Sequence, residues 1–135
     1  MLEVYSKNVT VASNASVPLD NLAVSKGCSA VTKGSSTIQF NKCGVYKVDV
    51  NAVGVAQDGG SISLQLYRNG VAQTEALSEV TASDTTSAHN LSFSTLVQVP
   101  NNNTTCPCSI PTTIGVVNTG VSTVYSNINI VVTKC

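Results

Sequence analysis

Few side chains in this 135-residue chain could carry out nucleophilic or acid–base chemistry. His89 is the only histidine, and Asp84 and Ser92 are close to it in sequence. A serine nucleophile requires a histidine base that an acidic group orients. This stretch is rich in Ser and Thr, however, so such proximity is expected by chance and a solvated loop histidine is the simpler interpretation. We therefore expect no catalytic residues and predict that the chain is not an enzyme.

The cysteines form no established metal-binding motif. There are five of them: Cys28, Cys43, Cys106, Cys108 and Cys135. An odd number leaves at least one without an intrachain partner, and a bond between Cys106 and Cys108 would close a very small ring with poor geometry. Cys106, Cys108 and His89 are the candidate zinc ligands, but structural zinc sites usually show two paired ligand clusters. Free thiols or loop-pinning disulfides are therefore favoured. Catalysis by Cys108 with His89 as base has no better support than the serine triad.

Carboxylates are also sparse, with seven Asp and Glu residues in the whole chain. Most are predicted to lie in turns or on sheet surfaces, whereas a glycosidase needs two in one cleft. Asp58 and Asp84 could supply oxygen ligands to calcium, but the spaced acidic pattern of a calcium loop is missing. Gly59-Gly60 lacks the Lys-Ser/Thr and the helix that follow a phosphate-binding loop. We expect no cofactor, with calcium or zinc as the alternatives.

The composition predicts a β protein without a charged partner. The chain has 21 Val, 15 Thr and 6 Ile, whose branched side chains suit a pleated sheet. Its net charge is zero and only 10% of its residues are charged, which excludes an electrostatically driven nucleic-acid or membrane surface. No window approaches the ~18 apolar residues of a membrane span, and the N-terminus does not resemble a signal peptide. We expect no membrane insertion and no signal-directed export of this chain.

Apolar residues alternate with polar ones along several segments, as in half-buried strands. Tyr46, Val48 and Val50 share one side of the clearest strand, and Ile62, Leu64 and Leu66 share one side of the next. Asn69-Gly70 then predicts a tight hairpin. The pattern gives about eight to ten antiparallel strands and favours an all-β, two-sheet jelly-roll sandwich. The length fits one domain over residues 1–135, with N-terminal edge strands in 1–24 and the core in 25–135.

Four segments, in this order, resemble the complement-head and tumour-necrosis-factor-like (TNF-like) jelly roll. The first has the family's Phe-spacer-Gly-x-Tyr-x-Val core, and the others resemble its Asn-Gly hairpin strand, a later core strand and the closing strand. The segments are Ile38–Val48, Leu64–Gly70, Leu91–Val97 and Ile128–Lys134. The chain is most similar to the short, Val- and Asn-rich bacterial and phage-encoded branch. It departs from the family in its Cys106-Pro107-Cys108 loop and its few aromatic residues in the last strands.

The resemblance implies a non-enzymatic homotrimer that serves as a structural or receptor-binding head of a phage virion or bacterial surface appendage. Tyr67, Tyr125 and Val131 are the expected trimer contacts, and the loops near 57–60, 81–89 and 101–111 are expected to form an apical binding surface. Its candidate residues are Asp58, Asp84, His89 and Asn102. The expected partners are further copies of the chain and a host-surface glycan or protein, or other virion proteins. A capsid decoration or cement protein, or a spore-surface protein without a ligand, is the alternative.

Overall fold

The computed structural model describes residues 2–25, 31–41, 44–57, 59–82, 87–99 and 112–134. These residues form ten β-strands and no helix. In chain order, the strands are β1 (Leu2–Val11), β2 (Asn21–Ser25), β3 (Val31–Lys33), β4 (Ile38–Phe40), β5 (Gly44–Ala56), β6 (Gly60–Arg68), β7 (Val71–Ala82), β8 (His89–Val99), β9 (Thr112–Asn118) and β10 (Thr123–Lys134). The prediction of an all-β chain is confirmed.

The strands form two antiparallel five-stranded sheets. The first sheet has the order β2-β1-β10-β5-β8, and the second sheet has the order β3-β4-β9-β6-β7. Strands far apart in sequence pair in both sheets, which is the connectivity of a jelly roll. The predicted N-terminal edge strands need one correction, because β1 lies inside the first sheet between β2 and β10 and only β2 is at its edge.

The core lies between the sheets and follows the predicted alternation. The side chains of Tyr46, Val48 and Val50 on β5 are at most 1% exposed. The aliphatic side chains at alternate positions of β6 and β10 are also buried; they are Ile62, Leu64, Leu66, Ile128, Ile130 and Val132. Phe40 and Tyr46 are in ring contact, with centroids 4.5 Å apart. Burial of these faces is the main favourable term in folding, since each large apolar side chain contributes about 1.5–3 kcal/mol.

The Asn69-Gly70 hairpin forms as predicted. Both residues have positive φ, 51° and 82°, which a two-residue turn of this kind requires. Asn69 also fixes the neighbouring strand, because its backbone N–H donates to the Thr113 carbonyl oxygen at 2.8 Å and its Oδ1 accepts from the Thr113 N–H at 2.9 Å. The hairpin is therefore tied to the start of β9.

A second polar contact holds the opposite end of β9. Asn118 is fully buried, and its Nδ2 donates to the carbonyl oxygens of Val11 and Val121, both at 2.9 Å. Its Oδ1 accepts from the Gly120 N–H at 3.2 Å. One side chain thus connects the end of β1 to the turn between β9 and β10. The role of Asn118 as a buried connector was not predicted from the sequence.

Candidate interaction surfaces

The outer face of the first sheet is defined by the side chains that point away from the core on β1, β10, β5 and β8. In one cross-strand row, Tyr5 lies opposite Asn129, which lies opposite Asn51, which lies opposite Ser92. The adjacent row contains Glu3, Val131, Asp49 and Ser94. Leu96 on β8 is 64% exposed and pairs with Lys47. This face therefore combines an uncharged row of amides and hydroxyls with half-buried apolar side chains and the charged side chains of Glu3, Asp49 and Lys47.

The three predicted trimer contacts do not lie on one face. Val131 is half-buried on the outer face of the first sheet, as the alternation predicted. Tyr67 points outward from β6, which belongs to the second sheet on the other side of the sandwich. Residues on opposite outer faces cannot form one continuous flat contact, so Tyr67 does not extend the patch that contains Val131.

The prediction that Tyr125 is a trimer contact is wrong, because its side chain is 0% exposed and lies in the core. Strict alternation along β10 would place it outside with Val131. The register of β10 against β5 shifts between Tyr125 and Asn127, and one extra residue in a strand reverses the face of everything beyond it. Tyr125 then lies opposite Gly54, where a Cβ would come within 2.8 Å of the tyrosine ring. The ring thus fills the space that glycine leaves.

The Tyr125 hydroxyl is buried and has no hydrogen-bond partner among the described residues. Burial disfavours the phenolate and raises the pKa of Tyr125 to about 12. The Thr123 side chain lowers this pKa and is the smaller of the two effects. Its hydroxyl donates to the Val121 carbonyl oxygen at 2.8 Å. Tyr125 is therefore a structural residue of the core.

His89 lies on the inner face of the first sheet, at the start of β8 and opposite Gly54. Its Nε2 is buried without a hydrogen-bond partner in the described part of the chain. Ser92 is exposed three positions along the strand and therefore points to the opposite face. His89 and Ser92 thus cannot act together as base and nucleophile in this geometry.

The remaining predicted site residues fall where the structure gives no description. Asp58, Asp84 and Asn102 of the loops, and the metal candidates Cys106 and Cys108, lie outside the described residues. Across the described ranges, no three His, Cys, Asp or Glu side chains come together in a way that could hold a metal ion. The described residues also contain no helix that is long and apolar enough to cross a membrane.

The described strand ends that flank the predicted apical loops lie at both ends of the sandwich. His89, the first residue of β8, pairs with Gly54 near the end of β5. Val99, the last residue of β8, pairs with Gly44 at the start of β5. Most of the loop residues themselves lie outside the described ranges, and the apical binding surface stays a prediction.

A depression of about 140 Å³ lies on the outer face of the second sheet. We call it the Tyr67 slot; it is lined by Ser16, Ser36, Thr37, Tyr67, Gly70, Thr113, Ile114, Gly115 and Val117. Tyr67 pairs with Gly115 across β6 and β9. Among the described residues, only the Ser36 carbonyl oxygen, at 3.2 Å, and the Thr37 Cγ2, at 3.9 Å, come within 4 Å of where a Gly115 Cβ would be. No atom of the Tyr67 ring covers this glycine.

Comparison with known proteins gives matches of structure only. No protein-family model matches the chain, and no curated relative matches it. The Eiger TNF of S. frugiperda superposes with a TM-score of 0.68 at 15% identity, covering 99% of this chain and 92% of that one. The globular domain of zebrafish complement 1qA superposes with a TM-score of 0.64 at 10% identity, covering 96% and 92%.

PRD1 vertex protein P5 is also similar, with a TM-score of 0.59 at 19% identity, covering 98% of this chain and 94% of that chain. These likenesses extend over nearly the whole of each chain, and the identities are low enough that they establish the fold alone. The strand order of the two sheets and these superpositions agree with the predicted resemblance. The chain has the TNF-like jelly-roll fold.

Proposed function

We propose that this chain is a non-enzymatic, homotrimeric head domain with a structural or receptor-binding role in a phage virion or on a bacterial surface appendage. The observation that carries this proposal is the whole-chain likeness to complement and TNF heads and to PRD1 vertex protein P5. P5 is named for a virion vertex, and it shares the highest identity of the three. On the same likeness we propose a virion or cell-surface location.

The outer face of the first sheet is the proposed contact between subunits. Leu96 exposes 64% of its surface there, and Val131 and Tyr5 are half-buried in neighbouring rows. The row Tyr5, Asn129, Asn51, Ser92 contains no charge. Interface centres are depleted of charged residues and enriched in aromatic ones, and they are surrounded by polar groups. A closed ring of three subunits would bury this face and leave the strand ends free.

A trimer would present three copies of each exposed site to one surface. Several weak sites that engage together bind much more tightly than one alone. The proposed partners are accordingly further copies of this chain and a host-surface glycan or protein. No step of this function requires a cofactor, so we propose that the head acts without calcium or zinc.

The experiment compares binding of the purified chain to intact host cells and to virions that lack it. Saturable binding to cells is the result expected for a receptor-binding head. Binding to particles without any binding to cells would instead favour a capsid decoration or cement role, and binding to spores alone would favour a spore-surface protein. No binding to any of the three would contradict the proposal.

A hydrolase is the competing class, and His89 tests it. His89→Ala removes the only imidazole, so an activity against ester, peptide or glycan substrates that disappears in this variant would contradict the non-enzymatic proposal. Ser92→Ala is the matched control, because Ser92 lies on the opposite face of the same strand.

A further inference from the structure

We infer that the Tyr67 slot binds a single neutral sugar ring. This inference rests on the proposed receptor-binding function and deepens it, because it names both the site and the chemical class of the ligand. The molecule contains two Tyr–Gly cross-strand pairs, Tyr125–Gly54 and Tyr67–Gly115, which differ in whether the tyrosine ring covers the glycine.

In the core pair, the Tyr125 ring closes the space over its glycine. The position of a Gly54 Cβ lies 2.8 Å from Cδ1 and 2.9 Å from Cε1 of that ring. In the surface pair, Ser36 and Thr37 are the described residues with an atom within 4 Å of a Gly115 Cβ, and no atom of the Tyr67 ring comes that close. The second pair therefore leaves an open slot between an aromatic ring and a turn.

The dimensions of the slot suit one six-membered ring. Its volume is about 140 Å³. A protein cavity of ~150 Å³ is known to hold a benzene molecule, so the slot is about one ring in size. Ser16 and Gly70 are part of its lining, and no atom of the described part of the chain lies within 4 Å of where a Gly70 Cβ would be. This leaves a route for the rest of a chain of sugars to leave the slot.

The chemistry of the lining favours a neutral, amphipathic ligand. None of the nine lining residues is a carboxylate, lysine, arginine or histidine. The apolar side chains that face the slot are Tyr67 and Val117, while Ser16, Ser36, Thr37 and Thr113 contribute hydroxyls. A pyranose has a C–H face that packs on an aromatic ring and hydroxyls that exchange hydrogen bonds with the rim, which is the usual division of labour in small-molecule sites.

Most of those hydroxyls are available to a ligand. The Thr113 hydroxyl already donates to the Asn69 Oδ1 at 3.3 Å. The side chains of Ser16, Ser36 and Thr37 make no hydrogen bond within the described part of the chain. The Ser36 carbonyl oxygen, which approaches Gly115, is an additional acceptor at the slot. A proline-containing peptide would also pack on tyrosine, but it needs a longer groove with fewer donors.

The test is a titration of the ¹⁵N-labelled full chain with neutral monosaccharides, read from amide chemical shifts. We expect one or more of glucose, galactose, mannose, fucose and N-acetylglucosamine to shift the Gly115 and Gly70 signals, with affinity in the millimolar range. Tyr67→Ala should abolish these shifts, and Thr37→Val, which keeps the shape and removes one hydroxyl, should weaken binding several-fold. Leu22→Ala removes an exposed apolar side chain from β2, at the edge of the other sheet, and should leave binding unchanged.

The inference is overturned if no sugar shifts these glycine signals at the solubility limit, if the shifts centre elsewhere, or if a proline-rich peptide binds the slot and sugars do not. Thr37→Val guards against a Tyr67→Ala variant that fails to fold. A trimer that binds no sugar would defeat this inference and leave the proposed head intact, whereas a monomer that binds sugar in the slot would do the reverse.

Discussion

At the scale of single residues, the buried hydroxyl of Tyr125 leads to a prediction about stability. Its hydroxyl is buried without a partner, so Tyr125→Phe removes an uncompensated polar group and is expected to stabilise the fold by about 1 kcal/mol. Denaturant unfolding at neutral pH measures this difference. A loss of stability of that size would instead mean that the hydroxyl is hydrogen-bonded in solution.

The pKa of Tyr125 predicts an alkaline effect with a definite sign. Its pKa is about 12 in the folded chain, whereas an unfolded tyrosine titrates near ~10. Between these values the unfolded chain releases a proton that the folded chain keeps, so stability falls as pH rises from ~10 towards ~12. Wild type should lose stability through this window, and Tyr125→Phe should lose less. Equal losses of stability in wild type and Tyr125→Phe would contradict the raised pKa of Tyr125.

Asn118 is the polar residue whose removal should cost the most. Asn118→Ala leaves the buried carbonyl oxygens of Val11 and Val121 without their donor, and we expect a loss of roughly 2–4 kcal/mol in the free energy of unfolding. Asn21→Ala, an exposed position on β2, is the matched control and should change stability by less than ~0.5 kcal/mol. Similar effects at the two positions would show that the Asn118 hydrogen bonds contribute nothing.

At the scale of elements, the turn between β9 and β10 fits closely against β6. A Cβ on Gly120 would overlap the Ser61 carbonyl oxygen and lie 2.7 Å from the Ser63 nitrogen, both of them backbone atoms that cannot move aside cheaply. Gly120→Ala should therefore cost ~3 kcal/mol, which is at the upper end of overpacking effects. Gly70→Ala meets no neighbouring atom and pays only for its φ of 82°, about 1 kcal/mol.

Thermal unfolding of both variants beside wild type gives this comparison. The account predicts that Gly120→Ala has the lower melting temperature of the two. The reverse order would mean that the positive φ of Gly70 costs more stability than the contact between Gly120 and β6.

The elements also show how much of the fold the sequence predicts. Alternation placed Tyr46, Ile62 and Ile128 on the inner face because one side of a strand must be apolar when it packs on a core. The prediction that Tyr125 is a surface contact was wrong because an inserted residue in β10 reverses the alternation of inward and outward side chains. Nothing in the sequence marks this insertion. The Tyr67 slot was missed because it depends on Gly115 lying opposite Tyr67, and pairing between β6 and β9 joins segments far apart in the chain.

At the scale of the whole molecule, the outer face of the first sheet should govern assembly. Leu96→Lys places a charge on an exposed apolar position in this face, and a buried unpaired charge is costly, so subunit association should weaken at least tenfold. Val71→Lys is the matched control, because Val71 is 63% exposed but lies beside the hairpin of the second sheet. Sedimentation velocity across a dilution series measures both variants.

Two results would contradict this prediction. Leu96→Lys could assemble as well as wild type, which would remove the first sheet from the interface. Alternatively, Val71→Lys could dissociate while Leu96→Lys does not, which would place the contact on the edge of the second sheet.

Self-association is the claim on which the proposed head function most depends, and native mass spectrometry with and without reductant tests it most directly. We expect a species of three times the 13.9 kDa chain mass, unchanged by reductant because the contact is formed by the sheet face. A chain that remains monomeric at micromolar concentration, or a multimer that falls apart on reduction, would contradict it.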